Sequence, residues 1–417
     1  MDTRDLKRVV AGPLFLIVLC CPARGQPQGY ESYYLYLGQH PDDAEPAWVD
    51  NVQGVTTDGA AHWYITQEQK IWKIPVVYDL NLVSEDDPNV VTRTLQSVAI
   101  LWDLGYEHIG DLTYYEANGQ GYLAIPAEDT DNSHGADPAI AFFAADNLAY
   151  VTRMELPEQG AAGWVAIDPL GNLYTADSNP GFDDTDPVLL RYELDWDVLE
   201  APPPVVDYES LELVFVFDQN DELLPLWALQ GGVFSSSGEL LYLSSGYMVG
   251  WDCGGHDVPV WWMRSYCGIH VFDTYTWQRI EQSTNGYGYF NYEFHPAMPY
   301  CQEAEGITIW DLDGGPAPNV SGQLHVFVLE NDAASADDVW FKHYTHTISV
   351  DGSYSGDENG TPQHPFNTVG EAYDFAWEGA RLGIGAGSYP EALTLSKRVE
   401  LTAWGGIATV GSSRGAP

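Results

Sequence analysis

Basic residues are what this chain lacks most. Lysine and arginine together number 16 against 61 aspartates and glutamates, a formal net charge of −45 over 417 residues. A surface that acidic repels phosphate backbones and anionic lipid, which argues against nucleic-acid and membrane-surface partners. It suits calcium, hydroxyl-rich ligands or a salty medium, and solubility alone would also account for it. Long apolar runs are scarce too: past residue 25 none approaches the roughly 18 residues of a membrane span, so no membrane insertion is expected. There is no H-E-x-x-H, no Walker-type phosphate loop, no G-x-S-x-G elbow and no C-x-x-C pair, so none of those chemistries has a sequence foothold. Amphipathic helical spacing is missing before residue 345.

The first 25 residues read as a secretory signal. Arg4, Lys7 and Arg8 form a basic start, Val9–Cys21 an apolar core, and Ala23-Arg24-Gly25 a small-x-small cleavage site. Cleavage there removes four basic and two acidic residues and leaves a charge of about −47. The expectation is a soluble, secreted protein, extracellular or periplasmic, acting as a monomer. Cys253, Cys267 and Cys301 remain. Cys253 and Cys267 bracket a tryptophan-rich insertion, and an oxidising compartment makes a disulfide between them the expected pairing, with Cys301 as a free thiol or alternative partner.

What the chain has in quantity is tryptophan, tyrosine and a recurring hairpin plan. Gly163–Asp177 (GWVAIDPLGNLYTAD) sets two strand-like runs about an Asp-Pro-Leu-Gly-Asn turn. The plan recurs from Gln53, His108, Ala162, Gln230 and Glu305, at intervals of 55, 54, 68 and 75 residues. Four strand-like pieces can be cut from each of the first four repeats, among them His62–Gln67, Thr92–Ile100, Gly110–Tyr115 and Gly163–Asp168. The fifth yields only three. Glu31–Gly38, ahead of the first repeat, is a strand without a partner and is the candidate fourth strand, closing a ring. The predicted fold is all-β: a five-bladed β-propeller over 30–345, with a six-bladed ring carrying one degenerate blade as the alternative.

Residues 346–417 differ in texture. Asp351–Pro365 is a polar loop, Phe366–Glu378 has helical spacing, and Arg381–Ile384, Ala392–Leu395 and Arg398–Ala403 read as short strands. That rhythm, one short helix and three strand turns, is that of one solenoid coil, which cannot bury both of its own faces.

Two resemblances follow. The tail resembles the opening coil of right-handed parallel β-helix proteins, a family that includes pectate-lyase-like (pectin lyase-like) enzymes and the DUF1565 group. Pro365, Phe366, Thr368, Val369, Glu371, Ala372, Gly387, Ser388, Tyr389, Glu391, Lys397 and Leu401 carry the match. The resemblance implies an incomplete parallel β-helix here. Lyase residues of that family lie in later coils, so none transfers; a longer chain and a capping coil both stay open. Tyr30–Tyr344 is similar to a group of exported bacterial β-propeller proteins, through His62–Val76, Glu107–Leu112, Gln230–Leu243 and Glu305–Gly315. Glu305-Gly306 also resembles, more distantly, the inner-strand opening of metal-dependent lactonase propellers.

Propeller geometry gathers the starts of inner strands and the ends of second strands at one mouth. Gln53, His108, Gln230 and Glu305 stand at the starts, Asp111 just inside, and Gln67, Glu128, Asp129, Asp177, Asn179, Glu330, Asn331 and Asp332 at the ends. Crowded oxygen donors call for a cation, a proton or a hydroxyl-rich ligand, and hard oxygens favour Ca²⁺ or Mg²⁺. The expected metal ligands are Glu305, Asp111 and Asp332, with calcium as the cofactor; the alternative is that these groups cap strands and bond neighbouring blades. His108 is the candidate general base for ester or lactone hydrolysis, the alternative being a backbone-bonded histidine. Gln53, Gln230, Trp261, Trp262 and Tyr266 are the candidate ligand contacts, the aromatics stacking on sugar rings or simply packing their loop. The favoured function is a non-catalytic secreted propeller binding a carbohydrate or another cell-surface ligand. The alternative is a metal-assisted hydrolase or lactonase.

Overall fold

The computed structural model describes residues 34–411 except 42–46, 131–132, 177–187, 219, 225, 227–228, 246–267, 284–301, 331–337, 363 and 377–379. Five antiparallel sheets follow one another along the chain, and their order of pairing is that of a five-bladed propeller. Blade 1 holds Val52–Thr57, His62–Gln67, Lys70–Pro75 and Val91–Thr94. Blade 3 holds Ala166–Ile167, Leu173–Thr175, Val188–Glu193 and Ser210–Phe215, and blade 4 Leu229–Phe234, Leu240–Ser245, Gly268–Asp273 and Arg279–Ser283. In blade 2 the inner strand is split, His108–Ile109 and Thr113–Ala117 both pairing with Gln120–Glu128. Ala139–Ala144 and Ala149–Glu155 complete it, and Val205–Val206 adds in parallel at its outer edge.

Blade 5 is finished by the leading strand. Leu35–Gln39 pairs antiparallel with Asp338–Thr345, with Leu35 opposite Thr345 and Gln39 opposite Lys342. The seam is filled as well as paired. Trp48, Trp63 and Trp72 from the start of the ring pack with Phe327 and Phe341 from its end in one buried cluster. Similar clusters lie between each other pair of consecutive blades, so the hydrophobic core is a ring of five interfaces rather than one centre. Tryptophan and tyrosine abound because each interface needs large flat side chains to span two twisted sheets.

Several strands differ from expectation. Past Thr94 the predicted strand Thr92–Ile100 becomes a 3₁₀ turn, Leu95–Ser97, and a one-turn helix, Ala99–Trp102, which folds Leu95 and Leu101 into the interface of blades 1 and 2. The strand predicted over Gly163–Asp168 is regular only at Ala166–Ile167, because Gly163 and Trp164 turn to the axis and Trp164 bridges Asp111.

After His346 the chain enters a three-stranded parallel sheet, Thr347–Val350, Arg381–Tyr389 and Glu400–Val410. The first of these strands lies outside the pattern expected from sequence, and the predicted Ala392–Leu395 is loop. The helix Val369–Phe375 packs Val369, Ala372 and Tyr373 on this sheet, in a core that also takes Leu35 of the closing strand. The helix is clamped from one loop. The Glu391 carboxylate accepts the first peptide N–H groups, Val369 (3.0 Å) and Gly370 (2.7 Å), and Lys397 Nζ donates to the last carbonyls, Tyr373 (2.6 Å) and Ala376 (2.7 Å). Opposite charges thus sit at the two dipole ends, and the Thr368 hydroxyl caps Glu371 N.

Candidate functional site at the axis and its mouth

The five inner strands meet around glycines: Gly54, Gly110, Gly163, Gly231 and Gly306, one from each blade. At Gly110 a Cβ would fall 1.8 Å from the Gly163 carbonyl oxygen, and at Gly306 2.5 Å from Gly54 Cα. Side chains are therefore excluded at this level, and the backbones of neighbouring blades come into contact.

Into the space that the glycines leave comes one carboxylate. Asp111 is wholly buried at the break in the blade 2 inner strand. Its Oδ1 accepts Val55 N from blade 1 (3.0 Å) and its Oδ2 accepts Gly232 N from blade 4 (3.1 Å). The N–H groups of Leu112 and, from blade 5, Ile307 also point at it, while its own N–H donates to the Gly163 carbonyl of blade 3 (3.0 Å). One residue thus bonds four other blades. Burial pushes its carboxyl well above the usual range, and the peptide N–H groups of Val55, Gly232, Leu112 and Ile307 pull it back.

Hydroxyls repeat the scheme one step out. Thr66 donates to the Gly110 carbonyl (2.8 Å), Ser244 to the Glu305 carbonyl (2.6 Å) and Thr113 to the Val165 carbonyl (2.7 Å), each reaching the next blade. These three were not singled out from the sequence. The available signal was their register: Thr66 pairs with Gly54 and Ser244 with Gly231.

Above the hub lies the mouth. His108 Nε2 is 3.2 Å from Gln53 Oε1, and His108 Nδ1 is 3.3 Å from Glu128 Oε2. The other Glu128 oxygen accepts Ala162 N of blade 3. Three blades are therefore linked through Gln53, His108 and Glu128, with the His108 side chain 22% exposed. Gln230 is half-buried at the same strand position of blade 4, and Glu305 is buried in blade 5.

Gln53, His108 and Glu128 are brought together. Asp111 and Glu305 are both buried near the axis, where Gly306 lies against Gly54 and the Asp111 carboxylate. Asp332, Trp261, Trp262, Tyr266, Cys253, Cys267, Cys301, Asp177, Asn179 and Asn331, and the leader, lie outside the described residues. Gln67 is engaged locally, its amide donating to the Ala47 and Asp50 carbonyls and accepting from Trp72 Nε1 (2.6 Å). Asp129 organises its own loop through the N–H groups of Ser133, His134 and Gly135. Among the described residues no three of His, Cys, Asp and Glu are gathered as a metal site, and no helix is long and apolar enough to cross a membrane.

No family profile matches the chain, and no curated protein does. Among solved structures it is similar to a thermostable family-43 glycoside hydrolase, with 14% identity over 73% of this chain and 91% of that one and a TM-score of 0.41. It is also similar to RS223-β-xylosidase, with 10% identity over 71% and 94% and a TM-score of 0.39. A point mutant of the Cellvibrio cellulosa α-L-arabinanase shows 13% identity over 72% and 92%, with a TM-score of 0.37. The blade count rests on this chain's own strand pairings.

Proposed function

We propose that the chain is an exported, non-catalytic propeller whose mouth binds a hydroxyl-rich ligand, a glycan in the first instance. The observation that carries the reading is the setting of His108. Its Nε2 lies 3.2 Å from Gln53 Oε1 and its Nδ1 3.3 Å from the Glu128 carboxylate, so a partly exposed ring is fixed among polar groups that sugar hydroxyls can bond. Gln53 and Gln230 add amides that donate and accept, the pairing that sugar hydroxyls require. Calcium dependence is part of the proposal and is tied to Glu305 and Asp332. Asp111 contributes by holding the inner strands in place.

A glycan array probed with wild type and His108→Ala, with and without calcium, tests this. Binding is expected to be lost in the variant while its melting is nearly unchanged; equal binding by both would refute the site. The second reading, ester or lactone hydrolysis with His108 as base, is favoured by the neighbouring Glu128 carboxylate. Turnover in a lactone and aryl-ester panel, abolished in His108→Ala, would establish it instead.

A further inference from the structure

Blade 5 contains a buried pair of histidines that the mouth does not use. His325 and His343 stand directly opposite on Leu324–Glu330 and Asp338–Thr345. Their Nδ1 atoms are 2.8 Å apart, a hydrogen-bond distance. Each Nε2 is also committed: that of His325 lies 2.9 Å from the Trp310 carbonyl and that of His343 3.0 Å from the His40 carbonyl.

A proton count follows. The chain of atoms runs from carbonyl through four ring nitrogens to carbonyl, with three short gaps. A carbonyl oxygen only accepts, so each outer gap needs an N–H on Nε2, and the inner gap needs one on an Nδ1. Two neutral imidazoles carry two N–H groups between them. One gap would then hold two facing lone pairs in a site without water access, both residues being almost fully enclosed. Three protons fill all three gaps, and the pair then bears one positive charge.

We propose that His325 and His343 share one proton as a buried imidazole–imidazolium pair, which acts as a proton-dependent clasp on the strand that closes the propeller. The His40 carbonyl held by His343 immediately follows the closing strand Leu35–Gln39, and Gly38 of that strand is the register partner of His343.

The surroundings fit a single charge. Trp63 of blade 1 presents its ring to His325 at 5.5 Å, and Phe341 lies 4.7 Å from His343. Asp311, next to Trp310, favours the charged form of His325, and His40, itself 2.9 Å from Asp79, disfavours charge on His343. Lys342 points elsewhere, over the Tyr36 ring. Burial pulls each ring down, His325 to about 4, and for His343 the charge of His325 adds to burial. Those pulls bar a second charge. They act on the first as well; on the proposal, the repulsion of the two facing lone pairs outweighs them, and the pair holds its first proton more tightly than a free histidine does. The sign follows: a group with raised folded-state affinity contributes fully at low pH, and its contribution is lost as pH rises through the folded value.

Two measurements decide it. Histidine-selective ¹⁵N NMR of the whole chain should show both Nε2 atoms protonated and one proton between the Nδ1 atoms. Either Nε2 found bare at every pH between about 5 and 8 would overturn the proposal, and this spectrum needs only the wild type. Urea unfolding of wild type and His325→Phe should diverge as pH falls from about 8, wild type gaining up to about tenfold in folding constant per pH unit. A relative loss for wild type on acidification, or a constant difference, would contradict it.

Discussion

The axis and the mouth of this propeller lie side by side and use the same kinds of side chain, yet they deploy them differently. At the axis, Asp111 directs both oxygens at peptide N–H groups of other blades and is fully buried. At the mouth, His108 and Gln53 bond each other and keep part of their surface in solvent. A carboxylate near the start of an inner strand can therefore be a structural group or a ligand contact. The neighbouring glycines separate the cases: where backbones close to contact, the acid holds the backbones.

The largest expected effect is at the axis. Asp111→Ala leaves several buried N–H donors without an acceptor, and a loss of about 3–5 kcal/mol or failure to fold is expected in urea unfolding. Gly110→Ala should be comparable, because the new methyl meets the Gly163 carbonyl, a backbone atom that cannot rotate away. Next comes the seam of the ring. Trp63→Ala should cost about 3–5 kcal/mol through the cavity left among Trp310, His325 and Phe341.

His346, at the junction with the parallel sheet, is smaller and pH-dependent. Burial lowers it to about 4, so it favours folding above the ordinary 6.5 and that contribution is lost as pH falls from there towards 4. Up to about 3 kcal/mol of acid sensitivity should disappear in His346→Gln, read as a flatter stability–pH curve. Smallest is the mouth: Gln53→Ala and His108→Ala should each change stability by less than about 1 kcal/mol, while glycan binding falls. A mouth substitution as costly as an axial one would erase the distinction.

The ring was legible because its determinants are local and repeated. Hairpin turns such as Asp168–Asn172, a glycine in the inner strand of each blade and an unpartnered leading strand together specify five sheets and their closure. Sequence did not show how the axis is filled, because Asp111 bonds residues 56 and 121 positions away along the chain. It also missed the hydroxyls of Thr66, Thr113 and Ser244 and the pairing of His325 with His343, all of which depend on strand register. His343 and His346, three residues apart, part company in the structure: His343 faces His325, and His346 lies beyond the strand. In the tail, Glu391 and Lys397 were visible as a pattern, but only the helix between them gives each its task. Ala392–Leu395 has strand-like composition without strand geometry, since it lies in the loop that bears that clamp.

The most direct measurement is urea unfolding of wild type, Asp111→Asn and His108→Ala side by side, each with calcium and with chelator. The account predicts that Asp111→Asn loses several kcal/mol equally in both conditions, and that His108→Ala stays near wild type. An Asp111→Asn protein as stable as wild type under chelation, losing only a calcium-dependent increment, would show that this carboxylate serves a metal rather than the blades.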